Sequence, residues 1–300
     1  MRRCLALASL GRGRVSPNPM VGCVVVRDGV IVSEGYHQQF GHNHAERNAL
    51  LRLDEARGAT LYVSLEPCSH HGHTPPCADL VVERGVRRVV CCNDDPNPLV
   101  DGGGFRKLEA AGIEVVRHVL EAEGKELNRR FFTFMEKRRP YVILKWAESR
   151  DGYMAPSVDG GYWISSQRQN RINHRWRTEE AAILVGSGTY LRDHPSLTPR
   201  HYRGPSPLPV VLDRRSRLSD VPSHWLHLNS FTVGETLHEL YVRRVQSVIV
   251  EGGRQVLDAF IASGLYDEVR VLRGSGDLGG GLKAPTIPPV EPGRLIIVEP

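Results

Sequence analysis

Four residues in the first half of the chain have the types and spacing of a metal-assisted hydrolytic site. His44 and Glu46 stand one residue apart, and Cys68 and Cys77 follow a short apolar run. One imidazole and two thiolates are a normal ligand set for catalytic zinc, leaving a fourth position for water. Bound zinc lowers the pKa of that water towards neutrality. A nearby carboxylate can then carry protons to the substrate and the leaving group, and we predict this role for Glu46.

The combination is more specific than any one of its parts. H-A-E before a helical pattern, a strand running into E-P-C, and P-P-C before another helix form the signature of zinc nucleobase deaminases. The two prolines favour a helix start at Cys77, where the positive helix end stabilises a thiolate. The alternative is a structural zinc site, with a fourth ligand from His70, His71 or His73. The other cysteines are interpreted as buried, small hydrophobic side chains: Cys4, Cys23, Cys91 and Cys92.

Apolar runs and helical patterns alternate along the first half of the chain. Apolar strands separated by helices predict a layered α/β fold with a largely parallel sheet. The predicted strands are Gly22–Val26, Thr60–Leu65, Arg88–Cys92 and Glu114–Val119. The predicted helices are Arg2–Leu10, Ala45–Glu55, Cys77–Arg84, Phe105–Ala111 and Glu121–Lys137.

A basic helix end before Pro140 predicts a boundary between two domains, residues 1–139 and 140–300. The second domain alternates again, and the stretch Gly274–Pro292 is predicted to be a loop. The predicted strands are Tyr141–Ala147, Ala182–Val185, Val210–Leu212, Ser247–Val250, Glu268–Leu272 and Leu295–Val298. The predicted helices are Gln167–Arg177, Thr236–Arg243 and Gln255–Ala262.

Length and composition agree with two globular domains. A chain of 300 residues exceeds the usual size of one domain. Its first apolar run is too short for a signal peptide, and no run approaches the roughly 18 residues that span a bilayer. Six cysteines are too few for a disulfide scaffold. We therefore expect a cytoplasmic protein that makes no membrane contact.

The net charge of +5 favours anionic partners. The basic residues are scattered, whereas a nucleic-acid footprint is usually clustered. We therefore expect a phosphorylated small molecule and a phosphorylated dinucleotide as partners, and no nucleic acid. The sequence leaves open whether the chain forms a homo-oligomer.

Two patterns in the second half are ambiguous when taken alone. Lys145 and Asp151 flank the end of a predicted strand. On composition alone, the two residues are equally consistent with a surface ion pair and with a functional site. Glu251-Gly252-Gly253 joins a predicted strand to a helix, so an anion could approach the free amides of the helix start. A simple structural turn explains the two glycines equally well.

The motifs of the first half closely resemble the bifunctional deaminase–reductase family of riboflavin biosynthesis. They are S-P-N-P-M-V-G from Ser16, H-A-E, L-E-P-C-S-H-H-G-H-T-P-P-C and D-P-N-P. Eight residues separate the two cysteines, where RNA- and DNA-acting deaminases generally have two. The resemblance implies a cytidine-deaminase-like α/β/α layered domain. Its substrate would be 2,5-diamino-6-(5-phosphoribosylamino)pyrimidin-4(3H)-one, which loses its 2-amino group by hydrolysis.

The resemblance further implies that Asn18, His37, Asp95 and Asn97 line the pyrimidine pocket. Without it, Asn18 and Asn97 would be interpreted as turn formers beside prolines. Many family members carry lysine or arginine where this chain has His73. A partly charged histidine predicts a weaker contact with an anion there.

The second half matches the family's reductase domain in order, from Lys145 to the E-G-G motif. This implies a dihydrofolate-reductase-like α/β fold that uses NADPH to reduce the ribosyl group to ribityl. The implied cofactor contacts are Ala147, Trp163, Thr189, Asp193 and the segment from Gly253. The implied substrate contacts are Gly161, Arg177, Leu197, Arg200 and Glu251.

Some assignments within the reductase half stay open. Lys145 and Asp151 are candidate polar participants, and neither is assigned as the proton donor. The guanidinium group of Arg177 could bind a phosphate by two parallel hydrogen bonds. Because Arg177 lies at a helix end, its charge could instead interact favourably with the helix dipole. The short, glycine-rich stretch Gly274–Pro285 leaves open whether the reductase is fully active.

The sequence thus predicts a zinc-dependent deaminase joined to an NADPH-dependent reductase. One alternative is an RNA or DNA deaminase with a C-terminal binding module. Another is a zinc-stabilised interaction protein without catalytic activity.

Overall fold

The computed structural model describes residues 1–71, 75–98, 100, 102–157 and 163–300. The chain divides into two compact units, Met1–Lys137 (unit 1) and Arg138–Pro300 (unit 2). This division lies close to the predicted boundary. The assignment of one activity to residues 1–139 and the other to 140–300 stays a prediction.

Unit 1 is a mixed sheet with helices packed on it. Its strands are β1 (Gly22–Arg27), β2 (Val30–Tyr36), β3 (Thr60–Leu65), β4 (Arg88–Asn93) and β5 (Glu114–Val116). Its helices are α1 (Arg2–Ser9), α2 (Ala45–Leu50), α3 (Cys77–Glu83), α4 (Gly103–Ala110), α5 (Glu121–Leu127) and α6 (Arg129–Lys137). Within the described residues the strand order is β2-β1-β3-β4-β5.

The prediction of a largely parallel sheet is correct for β3, β4 and β5 and wrong for β1 and β2. The pairs β3–β4 and β4–β5 are parallel, whereas β1 is antiparallel to both β2 and β3. Strand β2 is not in the predicted set. Asp28 and Gly29, which separate β1 from β2, both have positive φ angles. Asp-Gly is a strong hairpin signal because such a turn needs two residues in this conformation.

The single helix predicted over Glu121–Lys137 is two helices, α5 and α6, which meet at Asn128. The Asn128 amide donates to the Met20 carbonyl and accepts from the Met20 N–H, each at 2.8 Å. Asn128 is buried, so this pairing with a distant backbone satisfies its polar atoms. A periodic sequence pattern does not reveal such a contact.

Unit 2 is built on a parallel sheet. Its strands are β6 (Tyr141–Glu148), β7 (Tyr153–Ala155), β8 (Ala182–Gly186), β9 (Leu208–Leu212), β10 (Leu226–Leu228), β11 (Ser247–Val250), β12 (Glu268–Arg273), β13 (Leu282–Lys283) and β14 (Leu295–Val298). Its helices are α7 (Gln167–Glu179), α8 (Ser187–Asp193), α9 (Val233–Val242) and α10 (Arg254–Ser263).

The main sheet of unit 2 has the order β10-β9-β8-β11-β6-β12-β14 within the described residues. Every pairing recorded between these strands is parallel. Strands β8 and β11 are buried along their whole length, as expected for a parallel sheet covered on both faces. The carboxyl ends of parallel strands share one edge, which is where ligands bind in such folds.

Four short elements of unit 2 were not predicted from the sequence: β7, β10, β13 and α8. Strand β13 lies inside Gly274–Pro292, the stretch predicted to be a loop, and pairs with β7. Strand β10 and helix α8 were also not predicted, because three to seven residues carry too little periodicity. Among the described residues, each helix is too short or too polar to cross a bilayer.

Candidate functional site

The structure brings the three predicted metal ligands of unit 1 together. His44 caps the start of α2, Cys68 follows the end of β3, and Cys77 is the first residue of α3. His44 Nδ1 lies 3.5 Å from the sulfur of Cys68 and 3.5 Å from that of Cys77. With ordinary zinc–sulfur and zinc–nitrogen bond lengths, one edge of a tetrahedral site measures about 3.6 Å. The cluster therefore fits a single zinc ion.

Cys68 and Cys77 lie close enough to share a proton, and this shifts their pKa values in opposite directions. A hydrogen bond from Cys77 lowers the pKa of Cys68 to about 4. The same shared proton, together with burial, raises the pKa of Cys77 well above its ordinary value. The backbone N–H of Cys77 also donates to the Cys68 sulfur at 3.3 Å. A divalent cation replaces such a proton and favours ionisation of both sulfurs.

Glu46 lies beside this cluster on the first turn of α2 and is only 3% exposed. Burial raises the pKa of Glu46 to about 7, while the positive charge of His44 opposes the shift. A carboxyl group that titrates near neutral pH can both accept and release a proton.

His37 lies next to the metal ligand His44, and Asn18 contacts His37. His37 Nδ1 is 3.0 Å from the carbonyl oxygen of Asn43, which can only accept a hydrogen bond, so this nitrogen carries the proton. His37 Nε2 then accepts from the Asn18 amide at 3.2 Å. Burial lowers the pKa of His37, which keeps the ring neutral. The rings of His37 and His44 meet edge to face, with centroids 5.4 Å apart.

Asp95 and Asn97 follow the carboxyl end of β4. The backbone N–H of Asn97 donates to the Asp95 carboxylate at 2.9 Å. Burial raises the pKa of Asp95 to about 7, with further contributions from the charges of Glu66 and Cys68. The Asp95 carboxyl group thus lies within electrostatic reach of the metal cluster.

Glu66 is a residue of this site that sequence analysis did not single out. Its buried carboxylate accepts from the backbone N–H of Gly104 at 2.9 Å, of Phe105 at 3.4 Å and of Asp95 at 3.4 Å. It therefore ties the end of β3 to the Asp95 loop and to the first turn of α4. In the sequence, the only feature that could have singled out Glu66 is its position at a strand end, directly before Pro67 and Cys68.

The structural-zinc alternative requires a fourth protein ligand beside the three that the structure brings together. Among the described residues, the metal-binding group consists of His44, Cys68 and Cys77. His70 and His71 are described and are not members of this group. His73 lies outside the described residues.

Unit 2 contains a buried charge cluster around Glu251, directly after β11. Arg177 donates to the Glu251 carboxylate at 2.7 and 3.3 Å, and Lys145 Nζ lies 3.7 Å from it. Burial alone would raise the pKa of Glu251, but the charges of Lys145 and Arg177 lower it to about 2. Burial lowers the pKa of Lys145, against the opposing effect of Glu251. Three residues predicted separately thus form one ionic unit.

Thr189 and Gly253, both predicted cofactor contacts, touch each other. The backbone N–H of Gly253 donates to the Thr189 hydroxyl at 2.9 Å. Both residues line a cavity of about 740 Å³ at the carboxyl ends of β8, β9 and β11. This volume lies within the usual range for ligand pockets.

The other predicted reductase residues are more dispersed. Trp163 is 75% exposed, and Asp193 pairs with its neighbour Arg192. Ala147 lies on β6 and is partly buried. Gly161 lies outside the described residues.

Only some of the predicted substrate residues lie close to Arg177. Leu197 is buried, and the Thr198 carbonyl accepts from Arg177 at 3.2 Å, so this turn lies beside Arg177. Arg200 is exposed. Asp151 makes different contacts from those of Lys145, because its carboxylate accepts from Ser149 and from the backbone of the loop at Leu278 and Gly279.

Both units match known protein families. Residues 140–293 match the RibD C-terminal domain, and residues 1–93 match the cytidine and deoxycytidylate deaminase zinc-binding region. The riboflavin biosynthesis protein RibD of Aquifex aeolicus is 38% identical over 312 residues, covering 94% of this chain and 88% of that protein. The chain belongs to the RibD family.

Other RibD proteins agree with this assignment. RibD of Escherichia coli is 37% identical over 316 residues, covering 90% of this chain and 85% of its own length. A structure of a Thermotoga maritima diaminohydroxyphosphoribosylaminopyrimidine deaminase/5-amino-6-(5-phosphoribosylamino)uracil reductase is 40% identical, with a TM-score of 0.86 over 94% of this chain and 88% of that one. An Acinetobacter baumannii RibD structure is 34% identical, with a TM-score of 0.88 and the same coverage.

RibD membership confirms the predicted family and fold class, and with them the enzyme class and the two cofactors. Unit 1 is the cytidine-deaminase-like domain, and unit 2 is the RibD reductase domain, consistent with a dihydrofolate-reductase-like fold. The alternative of a nucleic-acid deaminase with a binding module is wrong, because the second half matches the RibD domain instead. The individual residue roles stay predictions.

The bracing contacts of Glu66 predict a loss of substrate positioning in a Glu66→Gln variant. A glutamine keeps only one acceptor oxygen; if this oxygen stays with the Gly104 and Phe105 N–H groups, its NH₂ group faces the Asp95 N–H, so the Asp95 loop should shift. We expect kcat/KM for deamination to fall by about 10- to 100-fold, as for other residues that orient a metal site. Zinc content, measured by elemental analysis, should stay at the wild-type level. The control is Glu109→Gln, an exposed change on α4; unchanged kinetics in the Glu66 variant would contradict the positioning role.

The charge cluster around Glu251 predicts a pH-dependent contribution to the stability of unit 2. Because folding lowers the pKa of Glu251, its stabilisation is present above about pH 4.5 and is lost as pH falls towards 2. Glu251→Gln should lower the free energy of unfolding by about 3 kcal/mol at pH 7, since it leaves buried cations without their partner. The difference from wild type should shrink at pH 3.

All four tryptophans lie in unit 2, so urea unfolding followed by tryptophan fluorescence measures this difference selectively. Glu239→Gln, which removes an exposed ion pair with Arg243, is the control and should cost less than about 0.5 kcal/mol. A Glu251 effect that is equally large at pH 3 and pH 7 would show that its stabilisation is not ionic.

Proposed function

We propose that this RibD chain catalyses two consecutive steps of riboflavin biosynthesis. In the first, 2,5-diamino-6-(5-phosphoribosylamino)pyrimidin-4(3H)-one loses its 2-amino group as ammonia. In the second, NADPH reduces the ribosyl side chain of that product to ribityl. The observation that carries this proposal is the group of His44, Cys68 and Cys77 beside the buried Glu46, in a chain that matches RibD proteins along most of its length.

In the deaminase, we assign zinc binding to His44, Cys68 and Cys77. When bound, zinc supplies a water molecule that ionises near neutral pH. Glu46 carries one proton of the attacking water to the pyrimidine ring nitrogen, and then carries the second, from the hydroxyl group newly formed on carbon, to the departing amine. Water adds to the amino-bearing carbon, the carbon–nitrogen bond breaks, and ammonia leaves.

The neighbouring polar residues hold the pyrimidine ring. Burial keeps the His37 ring neutral, and its contact with the Asn43 carbonyl fixes the tautomer, so the ring presents a defined hydrogen-bond pattern to its surroundings. Asn18 is held by His37 Nε2, and Asp95 and Asn97 are held by each other. We therefore assign these four residues to substrate binding, as the family resemblance implies.

In the reductase, the residues around the large cavity fit a dinucleotide. A Cβ atom on Gly252 would lie 2.7 Å from the Gly186 backbone nitrogen, so the two segments can approach only because this residue is glycine. That approach places the start of α10 at the cavity, where free amides favour phosphate. We assign Thr189 and Gly253 to cofactor binding, together with Ala147, Trp163 and Asp193. NADPH supplies the hydride.

The contacts around Glu251 refine the roles of the substrate residues. Arg177 donates to Glu251 and to the Thr198 carbonyl, so its charge is already compensated. We assign the phosphate contact chiefly to the exposed Arg200, and assign Arg177 to holding Glu251 in place beside Lys145. Lys145 and Glu251 then face the sugar, with Leu197 and Gly161 completing the substrate set. Asp151 is assigned to bracing the Leu278 loop.

We place both reactions in the cytoplasm. The two sulfur ligands of the zinc site and four further free thiols suit a reducing compartment.

The order of the two steps is tested by supplying the phosphoribosylated diaminopyrimidine with and without NADPH. We expect ammonia release in both cases, and NADPH oxidation only after deamination. Ammonia is measured by a coupled assay, and NADPH by absorbance. Oxidation of NADPH without prior ammonia release would contradict the order.

The role of Glu46 is tested with a Glu46→Gln variant, which cannot transfer a proton. Deamination should fall by about 10²- to 10⁴-fold. Zinc content should stay at the wild-type level, and reduction of separately supplied deaminated substrate should persist. Glu34→Gln is the matched control, because Glu34 is a carboxylate of unit 1 that pairs with Arg3. Full deaminase activity in the Glu46 variant would exclude Glu46 as the proton carrier.

A further inference from the structure

Asn18 lies in a loop with few backbone donors. This loop, residues 15–21 (the Asn18 loop), stands between α1 and β1. Pro17 and Pro19 have no N–H group, so neither can donate a hydrogen bond from the backbone. The place of the loop therefore depends on what other segments of unit 1 offer it.

Asn128, near the other end of unit 1, pairs with this loop. Its side-chain amide accepts from the Met20 N–H and donates to the Met20 carbonyl oxygen, each at 2.8 Å. The two bonds resemble the exchange between directly opposed residues of antiparallel strands. Asn128 is 4% exposed and Met20 is 7% exposed, so water has little access to replace either bond. A buried donor or acceptor that loses its partner carries the full cost of desolvation.

Asn128 stands at the break between α5 and α6, with its own backbone satisfied. Its φ of −101° and ψ of 24° lie outside the range of an α-helix. Its N–H donates to the Gly124 carbonyl at 3.1 Å, and its carbonyl accepts from the Phe132 N–H at 3.0 Å. The side-chain amide therefore serves the loop and not the helix ends.

An apolar contact accompanies the polar one. Leu127 packs against the buried cluster of Ala8, Val15 and Met20. Val15 and Met20 belong to the Asn18 loop, on either side of Asn18. The junction of α5 and α6 thus packs against a cluster that both sides of the loop form.

The connection between Met20 and Asn18 is stiff. Only Pro19 lies between them, and its ring holds φ at about −65°. Asn18 directly precedes that proline, so its own backbone conformation is restricted as well. A shift of the Met20 backbone therefore also displaces Asn18, because few torsions remain to absorb it.

Asn18 tolerates little displacement. Its amide nitrogen lies 3.2 Å from His37 Nε2, and a hydrogen bond is lost at about 3.6 Å. His37 is in turn the neighbour of the metal ligand His44. A small movement of the loop is thus enough to break the contact that places Asn18 beside the metal ligands.

We propose that Asn128 is a positioning residue of the deaminase, because its pairing with Met20 holds Asn18 where it meets the pyrimidine ring. This inference rests on the proposed deaminase function and on the assignment of Asn18 to substrate binding. Asn128 lies beyond residues 1–93, the part of the chain that matches the deaminase zinc-binding region. The substrate pocket of unit 1 thus depends on a residue in the last segment of that unit.

A double-mutant cycle separates positioning from general stability. Asn128→Ala should lower kcat/KM for deamination by about 10-fold, divided between kcat and KM as in Asn18→Ala. In a chain that already carries Asn18→Ala, adding Asn128→Ala should cost less than about 2-fold, because the residue through which Asn128 acts is gone. A merely structural role predicts the same loss in both backgrounds.

Zinc content and reduction of separately supplied deaminated substrate report on folding, and both should stay at the wild-type level in Asn128→Ala. Glu123→Ala, an exposed change on α5, is the matched control and should leave deamination unchanged. If Asn128→Ala loses zinc, Asn128→Asp takes its place in the cycle with the same expected outcome, since it keeps the side-chain size and an acceptor for the Met20 N–H. Loss of zinc in both variants would overturn the proposal, because the pairing would then hold the whole unit together.

Hydrogen–deuterium exchange tests the docking of the loop without turnover. In Asn128→Ala, amide exchange in residues 15–21 should become faster by about 10-fold or more, because the Met20 N–H loses its acceptor and the loop opens more often. Exchange in β3 should stay as in the wild type. Unchanged exchange in the Asn18 loop would overturn the proposal, and so would equal losses of kcat/KM in the two backgrounds of the cycle.

The outcomes distinguish this inference from the proposed function. A wild type that releases ammonia, together with equal losses in the cycle, overturns the positioning role and leaves the deaminase function in place. A wild type that releases no ammonia overturns the deaminase function and this inference with it, whatever the exchange measurement gives.

Discussion

The metal site of unit 1 depends on holding two sulfurs and one imidazole within coordination distance of one ion. These groups meet where β3 ends and where α2 and α3 begin. These ligands come from three segments, so their distances depend on how closely helix and sheet approach. A Cβ atom on Gly35 would lie 2.5 Å from the Ala45 carbonyl oxygen, so β2 can contact α2 only through glycine. That contact fixes the helix start that carries His44 and Glu46. The metal chemistry therefore rests on backbone packing as much as on ligand type.

Burial has two opposite consequences in the two units. Glu46 is buried with little compensation, so its pKa rises into the range where it can exchange protons. Glu251 is buried between two cations, so its pKa falls and it stays ionised. The same residue type thus titrates near neutral pH in one unit and carries a fixed charge in the other, because its neighbours differ.

Buried strands were the most predictable part of the fold. Thr60–Leu65 and Ser247–Val250 have the predicted bounds, because a strand that is buried on both faces favours a largely apolar run, and each of these two runs is followed by a glutamate. Strand β2 and three short strands of unit 2, β7, β10 and β13, were missed, since their mixed sequences are stabilised by pairing with a neighbour. The break between α5 and α6 was missed because the partner of Asn128 is the distant Met20.

The sequence by itself determined the metal chemistry of this protein, because ligand type and spacing along a strand and two helix starts are local properties. These local properties single out His44, Cys68 and Cys77, which the structure brings together. The tertiary structure alone decided that Glu66 holds the Asp95 loop, and that Glu251 joins Arg177 to Lys145. These contacts link residues far apart in the chain, and a sequence pattern records which side chain is present without recording the distant backbone or charge that it meets.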